Sequence, residues 1–202
     1  AYVTREPVKF NERTSGEEKN LTVGESWGNL WDCAWFCFEG RIPESEREKN
    51  LVLMLDVSGE MCVFDKAGVP VACLTNVSSD FDDSLGSPGK RIYVLDKATK
   101  ESGEISLWAD AGCNDLFGRY KDSGKVMEAD LAICDAGLRD IYYDLAVIRD
   151  MLGCIDKNSA RYKRLLGRTY DAVCMITTPD FDREAIDKIG LWFADEVLVG
   201  AA

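Results

Sequence analysis

The sequence contains no histidine, and this absence excludes several common kinds of active site within the chain. A Ser-His-Asp or Cys-His centre needs an imidazole to move the proton. A zinc ion bound through histidine is excluded for the same reason. Carboxylate chemistry stays open, because the chain carries 36 aspartates and glutamates. No two of them stand out as an acid and a nucleophile, so we assign no catalytic residue.

Long apolar runs and an excess of positive charge are also lacking. No run reaches the roughly 18 apolar residues that a membrane span requires. Residues 1–10, AYVTREPVKF, lack the apolar core of a secretion signal. The net charge of -12 and the pI near 4.5 argue against a nucleic-acid partner, whose phosphates need a cationic surface. We therefore expect a cytoplasmic protein that binds neither membranes nor nucleic acid.

Cysteine is plentiful, but its spacing predicts neither a disulfide framework nor a zinc site. The eight cysteines are spread along the chain and include no CxxC pair. Disulfide frameworks are typical of small secreted domains, which this chain does not resemble. We expect thiols that pack as small buried hydrophobic groups. A zinc site made of cysteine alone is the alternative.

Residues 1–134 read as β-structure without helices. Short apolar or alternating segments are separated by loops rich in glycine, serine and aspartate. The predicted strands lie near 21–23, 33–39, 51–57, 61–65, 69–74, 91–95, 104–111 and 128–134. Residues 61–74 should form a hairpin, and 97–103 a polar turn. About eight or nine short strands predict a two-sheet antiparallel β-sandwich, most simply a jelly roll.

Residues 135–202 read as a separate helical segment. After Asp135, which can cap a helix, apolar residues recur with helical spacing up to Gly153, which can end it. The stripe of this first helix consists of Leu138, Ile141, Tyr142, Leu145, Ile148 and Leu152. A second helix is expected over 159–176. A third should follow Pro179, with Asp180 as its N-cap.

Tryptophans are the candidate binding residues. Trp27, Trp31 and Trp35 recur every four residues. Exposed tryptophans form stacking platforms for sugars, but tryptophans in strand-forming sequence more often belong to the core. Trp108 points away from the face of its strand that carries Leu107, so it is either exposed or covered by a second layer. We name Trp27, Trp31 and Trp108 as substrate-binding candidates and assign no metal ligand.

Two further patterns resemble functional motifs but have simpler interpretations. Asp80, Asp82 and Asp83 could supply oxygen ligands to calcium, but their spacing is not that of an EF-hand, and a solvated acidic loop is the simpler interpretation. Asn20 and Asn76 begin glycosylation sequons, which matter only in a secretory pathway.

Three stretches, taken in order, carry a family resemblance. They are WFCFEGRIP at 35–43, LMLDVSGEMCVFDKAGVPVACL at 53–74, and ADAGCNDLFG at 109–118 followed by EADLAICDAGLRDIYYDLAVIRDML at 128–152. Their order and spacing resemble the N-terminal, non-catalytic region of glycoside hydrolase family 38 α-mannosidases of the cytosolic and bacterial type. The resemblance covers roughly residues 24–176 of the chain.

This resemblance implies an accessory domain of an enzyme that removes terminal α-mannosides from glycans. In the family, a separate downstream domain binds zinc through a His-x-His-x-Asp-type motif and uses an aspartate nucleophile in a retaining mechanism. The implied partners are that catalytic domain of the same polypeptide and further copies in a homo-oligomer. A stand-alone carbohydrate-binding module for mannose-containing glycans is the alternative. A self-contained interaction protein ending at Ala202 is a third reading, which the apolar terminus GLWFADEVLVGAA disfavours.

Overall fold

The chain folds into two compact units, Ala1–Ile133 and Cys134–Ala202. The computed structural model describes residues 1–75, 90–114, 123–178 and 183–194. The first unit is built from antiparallel sheets and the second from helices, which confirms the predicted fold class. No helix in these described ranges is both long enough and apolar enough to cross a membrane.

The first unit contains eleven described strands and one short α-helix. The strands are β1 Tyr2–Thr4, β2 Glu17–Glu18, β3 Ser26–Asn29, β4 Cys33–Arg41, β5 Leu51–Asp56, β6 Glu60–Phe64, β7 Pro70–Leu74, β8 Ile92–Val94, β9 Glu104–Gly112, β10 Ser123–Lys125 and β11 Glu128–Ile133. The helix α1 spans Lys97–Ser102. The second unit contains α2 Ala136–Cys154, α3 Ala160–Ile176 and α4 Arg183–Ala194.

The strands form two main sheets and a small ribbon. The larger sheet has the order β2-β1-β4-β9-β6-β7, and the smaller has the order β11-β5-β8. β10 and β3 form a two-stranded ribbon. Every pair is antiparallel, and β6 and β7 form the predicted hairpin.

The core lies between the facing surfaces of the two main sheets. Alternation in β9 turns Ile105, Leu107 and Ala109 inward, as their period of two predicts. From the opposite sheet, Leu53 and Leu55 of β5 enter the same cluster of buried side chains. The sandwich therefore arises because both central strands present one continuous apolar face to each other.

Three local predictions in this unit are wrong. Residues 97–103 form α1 rather than a polar turn, because the Asp96 side chain accepts a hydrogen bond from the Thr99 amide and Gly103 ends the helix with a φ of 73°. Residues 21–23 are not a strand. The predicted strands begin at residue 21 and so omit β1 and β2, which form because β1 pairs with β4 over a long sequence separation.

In the second unit, α2 and α3 follow the predicted ranges closely. Asp135 and Ser159 cap them by accepting hydrogen bonds from the amides of Leu138 and Tyr162. The buried cluster between the helices includes Ile148, Ala172, Ile186, Ile189 and Phe193. The helix α2 continues through Gly153 to Cys154, so Gly153 does not end it as predicted.

Part of the predicted α2 stripe is exposed. Ile141 and Ile148 are buried, whereas Leu138 and Tyr142 are 40% and 49% exposed. The predicted N-cap of the third helix, Asp180, lies outside the described residues.

Candidate functional site

Trp27 is a core residue and offers no ring face to a ligand. It lies in β3 with no exposed surface, and its indole Nε1 donates a hydrogen bond to the carbonyl oxygen of Val57 at 2.7 Å. Its ring meets that of Phe36 edge to face, with the centroids 5.3 Å apart. Because stacking needs an open face, Trp27 cannot act as a sugar platform, and the core interpretation holds for it.

Trp31 has the opposite placement, on a tight turn between β3 and β4. Its side chain is 60% exposed and its backbone φ is 72°. A bulky residue rarely adopts this left-handed conformation, which costs about 1–2 kcal/mol.

Hydrogen bonds at both ends of the turn hold Trp31 in place. The Trp31 amide donates to the carbonyl of Cys113 at 2.8 Å, and the Asn29 amide donates to the Asp32 carboxylate at 2.7 Å. The Cys113 amide in turn donates to the carbonyl of Asp32 at 2.8 Å. The turn therefore presents a large aromatic ring to solvent on a fixed backbone.

A small polar hollow lies beside this turn. It has a volume of about 210 Å³, and its walls include Arg5, Glu17, Lys19, Asn29 and Asp32. Carboxylates, an amide and basic groups are donors and acceptors that can hydrogen-bond sugar hydroxyls, and Asn29 and Asp32 belong to the same turn as Trp31.

Trp108 is covered by a second layer that comes from the chain's own N-terminus. We call residues 8–13 the N-terminal strap. Arg13 of the strap places its guanidinium 4.6 Å from the centre of the Trp108 ring, and Tyr2 stacks on the same ring at 6.0 Å. Of the two placements predicted for Trp108, the structure has the covered one.

The strap packs on the outer face of the six-stranded sheet. Phe10 contacts the rings of Trp35 and Phe64, with centroids 5.6 and 5.8 Å away. The Trp35 indole donates a hydrogen bond to the carbonyl of Val8 at 3.0 Å, and its side chain is only 2% exposed. Sequence reasoning missed this layer, because the strap has no apolar period and carries Phe10 as a single anchor.

One acidic side chain, Asp110, lies half-buried on the same outer face. In register it lies between Trp35 of β4 and Cys62 of β6. Burial raises the pKa of the Asp110 carboxyl, although the Ala111 amide opposes the shift. The pKa of the Cys62 thiol is raised by burial, by Cys73 opposite and by Asp110. The Cys62 thiol therefore forms a thiolate less readily, and the Asp110 carboxyl is a weaker acid than usual. Both properties fit a structural role for these two side chains.

The cysteine predictions hold only in part. None of the eight cysteines, all of which the structure describes, forms a disulfide. Cys113 is buried as expected, but Cys73, Cys154 and Cys174 are exposed. Within the described ranges, no three His, Cys, Asp or Glu side chains are grouped so as to hold a metal ion. Those residues therefore do not fit zinc. The acidic loop with Asp80, Asp82 and Asp83, and the sequon at Asn76, lie outside the described part.

A further cavity lies in the first unit. It has a volume of about 470 Å³ and lies between β4 and β11. Its apolar lining includes Phe36, Phe38, Leu53 and Leu131. Polar and charged residues, including Glu39, Arg41 and Asp130, line the same cavity, so its lining is mixed.

Comparisons with known proteins agree on one family. The family model described as "Alpha-mannosidase, jelly roll domain" matches residues 1–139. Human "Alpha-mannosidase 2C1" is 24% identical over 173 residues, which are 80% of this chain and 16% of that protein. The mouse protein of the same name is similar, also at 24% identity over 173 residues. The chain thus spans about a sixth of the length of these relatives.

Proposed function

Because the chain belongs to the family of α-mannosidase jelly roll domains, we propose that it is the accessory N-terminal domain of a glycoside hydrolase family 38 α-mannosidase. Its role is to support and shape the catalytic domain of the same polypeptide, and it carries no catalytic site of its own. The observation that carries this proposal is length, since the relatives named α-mannosidase are about six times longer than the region they share with this chain.

The residues of the chain are consistent with an accessory role, in which catalysis belongs to a separate domain. The sequence has no histidine to bind zinc, and the described residues group no three acidic or thiol ligands together. In the proposal, zinc belongs to the catalytic domain, where it would act as a Lewis acid on the bound sugar. The exposed apolar residues of the helical unit, which include Tyr170 and Leu191, supply surface for packing against that domain.

The proposal predicts that the chain alone has no mannosidase activity. An aryl α-mannoside incubated with the purified chain and added zinc should release phenolate no faster than buffer does. The control is a full-length relative assayed in the same buffer, which should release phenolate. Turnover by the chain that persists through purification and follows its elution profile would contradict the proposal.

A carbohydrate-binding module is the second candidate function, and Trp31 favours it. An exposed, strained tryptophan beside a polar hollow is the geometry of a stacking platform. The ligand would be a mannose-containing glycan. Trp108 contributes little in this reading, because Tyr2 and Arg13 already contact its ring.

Calorimetry tests this second function. If mannose oligosaccharides bind, Trp31→Ala should weaken them at least about tenfold, which corresponds to about 1.4 kcal/mol. The matched control is Tyr170→Ala, which removes an aromatic side chain that is 69% exposed in the other unit. If no sugar gives a heat of binding, the second function is contradicted and only the accessory role remains. If Trp31→Ala and Tyr170→Ala lose the same amount of sugar affinity, Trp31 is not a stacking platform.

Cytoplasmic location and homo-oligomer formation are part of the same proposal. Asn20 is exposed and begins a sequon, so a secreted chain would carry a glycan there. The native protein should therefore show no change in mobility after treatment with an endoglycosidase.

A further inference from the structure

Two cysteines face each other across the hairpin of β6 and β7. Cys62 of β6 lies opposite Cys73 of β7, and the pairing stays regular for one residue to either side. Cys37 of β4, by comparison, lies opposite Trp108 of β9. The hairpin therefore brings together two thiols that the sequence places on separate strands.

Both thiols lie on the outer face of the six-stranded sheet. Burial alternates along β6, where Met61 and Val63 are buried and Cys62 between them is half-buried. Directly opposite side chains of an antiparallel pair share one face. Cys73 therefore also lies on the outer face, and it is exposed. One thiol of the pair is open to reagents in solution, and the other lies beside it with less exposure.

The hydrogen bonds that follow β9 identify the type of this cysteine pair. The Cys113 amide donates to the carbonyl of Asp32, and the Cys113 carbonyl accepts from the amide of Trp31, so residue 113 bonds towards β4. Because these directions alternate along a strand, Asp110 bonds towards β6. Asp110 lies opposite Cys62. The backbone groups of Cys62 therefore point towards β9 and away from β7.

The turn of the hairpin leads to the same result independently. The Asp65 amide donates to the carbonyl of Val69 at 2.9 Å, so residue 65 bonds towards β7. The register of β6 with β9 is regular up to residue 64. By alternation, residue 63 bonds towards β7 and residue 62 does not. Cys62 and Cys73 are thus a non-hydrogen-bonded pair, the type in which opposite side chains are closest.

A pair of this type meets the distance requirement of a disulfide. Its Cα atoms lie about 4.5 Å apart, and disulfides span about 4.4–6.8 Å between Cα atoms. Because this separation is shorter than the usual one and the site is exposed, a bridge here is easily reduced. The two thiols already interact. Burial raises the pKa of the Cys62 thiol, and Cys73 adds to the rise through its charge and a side-chain hydrogen bond.

We propose that Cys62 and Cys73 are a redox modification site, which forms a reversible disulfide with a small-molecule disulfide of the glutathione type as the oxidant. Disulfides in a reducing compartment are usually transient or redox-sensing rather than structural. The proposal does not depend on the mannosidase assignment, since it rests on the register of one hairpin.

The exposure of the two thiols decides which one reacts first. The exposed Cys73 thiol loses its proton and attacks one sulfur of the small disulfide, whose S–S bond breaks. A mixed disulfide forms on Cys73, and one small thiolate leaves. Cys62 then loses its proton and attacks the Cys73 sulfur, which forms the bridge and releases the second small thiolate. The two released thiolates take up the two protons, so two cysteines are oxidised and one small disulfide is reduced.

The order of these steps agrees with the surroundings of Cys62. Its raised pKa and partial burial make it a poor first nucleophile. Its position opposite Cys73 makes the second attack intramolecular, and proximity compensates for low reactivity.

Oxidised glutathione, added to the folded and reduced 202-residue chain, is the probe. Remaining thiols are then blocked with N-ethylmaleimide and the chain is digested with trypsin. Lys66 lies between Cys62 and Cys73, so the reduced chain releases them on separate peptides. The oxidised chain should yield these two peptides linked, as its predominant crosslink, and dithiothreitol should separate them again.

Single substitutions distinguish the two roles. Cys62→Ser should stop the reaction after the first step, so glutathione should accumulate on Cys73 to at least about ten times the level in the unsubstituted chain. Cys73→Ser should abolish the crosslink and leave Cys62 largely unmodified. The matched control is Cys154→Ser, which removes an exposed thiol from the helical unit and should leave the yield of the crosslink unchanged.

Several results would overturn the proposal. They are an unsubstituted chain in which neither cysteine reacts, glutathione that stays on Cys73 without a linked peptide, and crosslinks to other cysteines that are as frequent as the one between 62 and 73. An equal level of glutathione on Cys73 with and without Cys62→Ser would also contradict it. Circular dichroism before oxidation identifies any variant that has lost its fold, and the linked peptide of the unsubstituted chain then decides.

Discussion

Replacing Trp27 with alanine should remove most of the stability of the first unit. Deleting a buried tryptophan side chain costs about 3–5 kcal/mol through lost burial and the cavity left behind. The Val57 carbonyl also loses its 2.7 Å hydrogen bond, which adds about 1 kcal/mol. The free energy of unfolding of a whole domain is only about 5–15 kcal/mol. The Trp27 site cannot easily collapse, because Gly124 already lies against the indole.

Urea unfolding followed by near-UV circular dichroism measures this effect, since four of the five tryptophans lie in the first unit. Trp31→Ala is the matched control. Because the Trp31 ring is 60% exposed, this substitution should change the free energy of unfolding by no more than about 0.5 kcal/mol. Trp27→Phe should have an intermediate effect, because it keeps a ring but loses the donor. Equal effects of Trp27→Ala and Trp31→Ala would contradict the placement of these two residues.

Gly59→Ala should destabilise the same unit by about 3 kcal/mol, the upper end of the usual cost of overpacking. A Cβ atom added at Gly59 would clash with the carbonyl oxygen of Gly112, which is backbone at the end of β9. The φ of Gly59 is not in the left-handed region. The cost is therefore steric, and it cannot be relieved by turning a side chain.

Gly40→Ala is the control for this substitution, because it makes the same chemical change in β4. The nearest atom to an added Cβ there is a methyl carbon of Ile105 at 3.6 Å, an ordinary contact. We expect Gly40→Ala to be neutral or to stabilise by about 0.5 kcal/mol, since glycine weakens a strand interior. The difference in urea midpoint between the two variants measures how closely the β5–β6 turn approaches β9. A midpoint for Gly59→Ala that equals the control would refute that close approach.

Local periodicity was enough to predict the elements whose apolar faces are also buried. The alternation in β9 has buried partners along its full length, so pattern and burial agree there. In α3 they agree less well, because Leu165 is buried while Leu166 and Val173 are 47% and 43% exposed. Elements stabilised by other means were missed. The helix α1 has no buried residue and depends on its Asp96 cap and Gly103. The strands β1 and β2 are only three and two residues long and depend on the pairing of β1 with β4, which no local window contains.

The candidate site shows the same limit. The tryptophans at 27, 31 and 35 share a spacing of four, yet they lie in β3, in a turn and in β4, with exposures of 0%, 60% and 2%. Spacing alone cannot distinguish them, because the turn reverses the chain between the first and the last. What distinguishes Trp31 is its positive φ, which depends on a hydrogen bond from its amide to Cys113, far away in sequence.

The N-terminal strap is in effect a ligand that the protein carries for itself. Through Phe10 and Arg13 it occupies the aromatic groove of Trp35, Phe64 and Trp108. A tethered segment of this kind competes at an effective concentration on the order of millimolar. A free molecule that binds this face must therefore compete with the strap for the same aromatic rings.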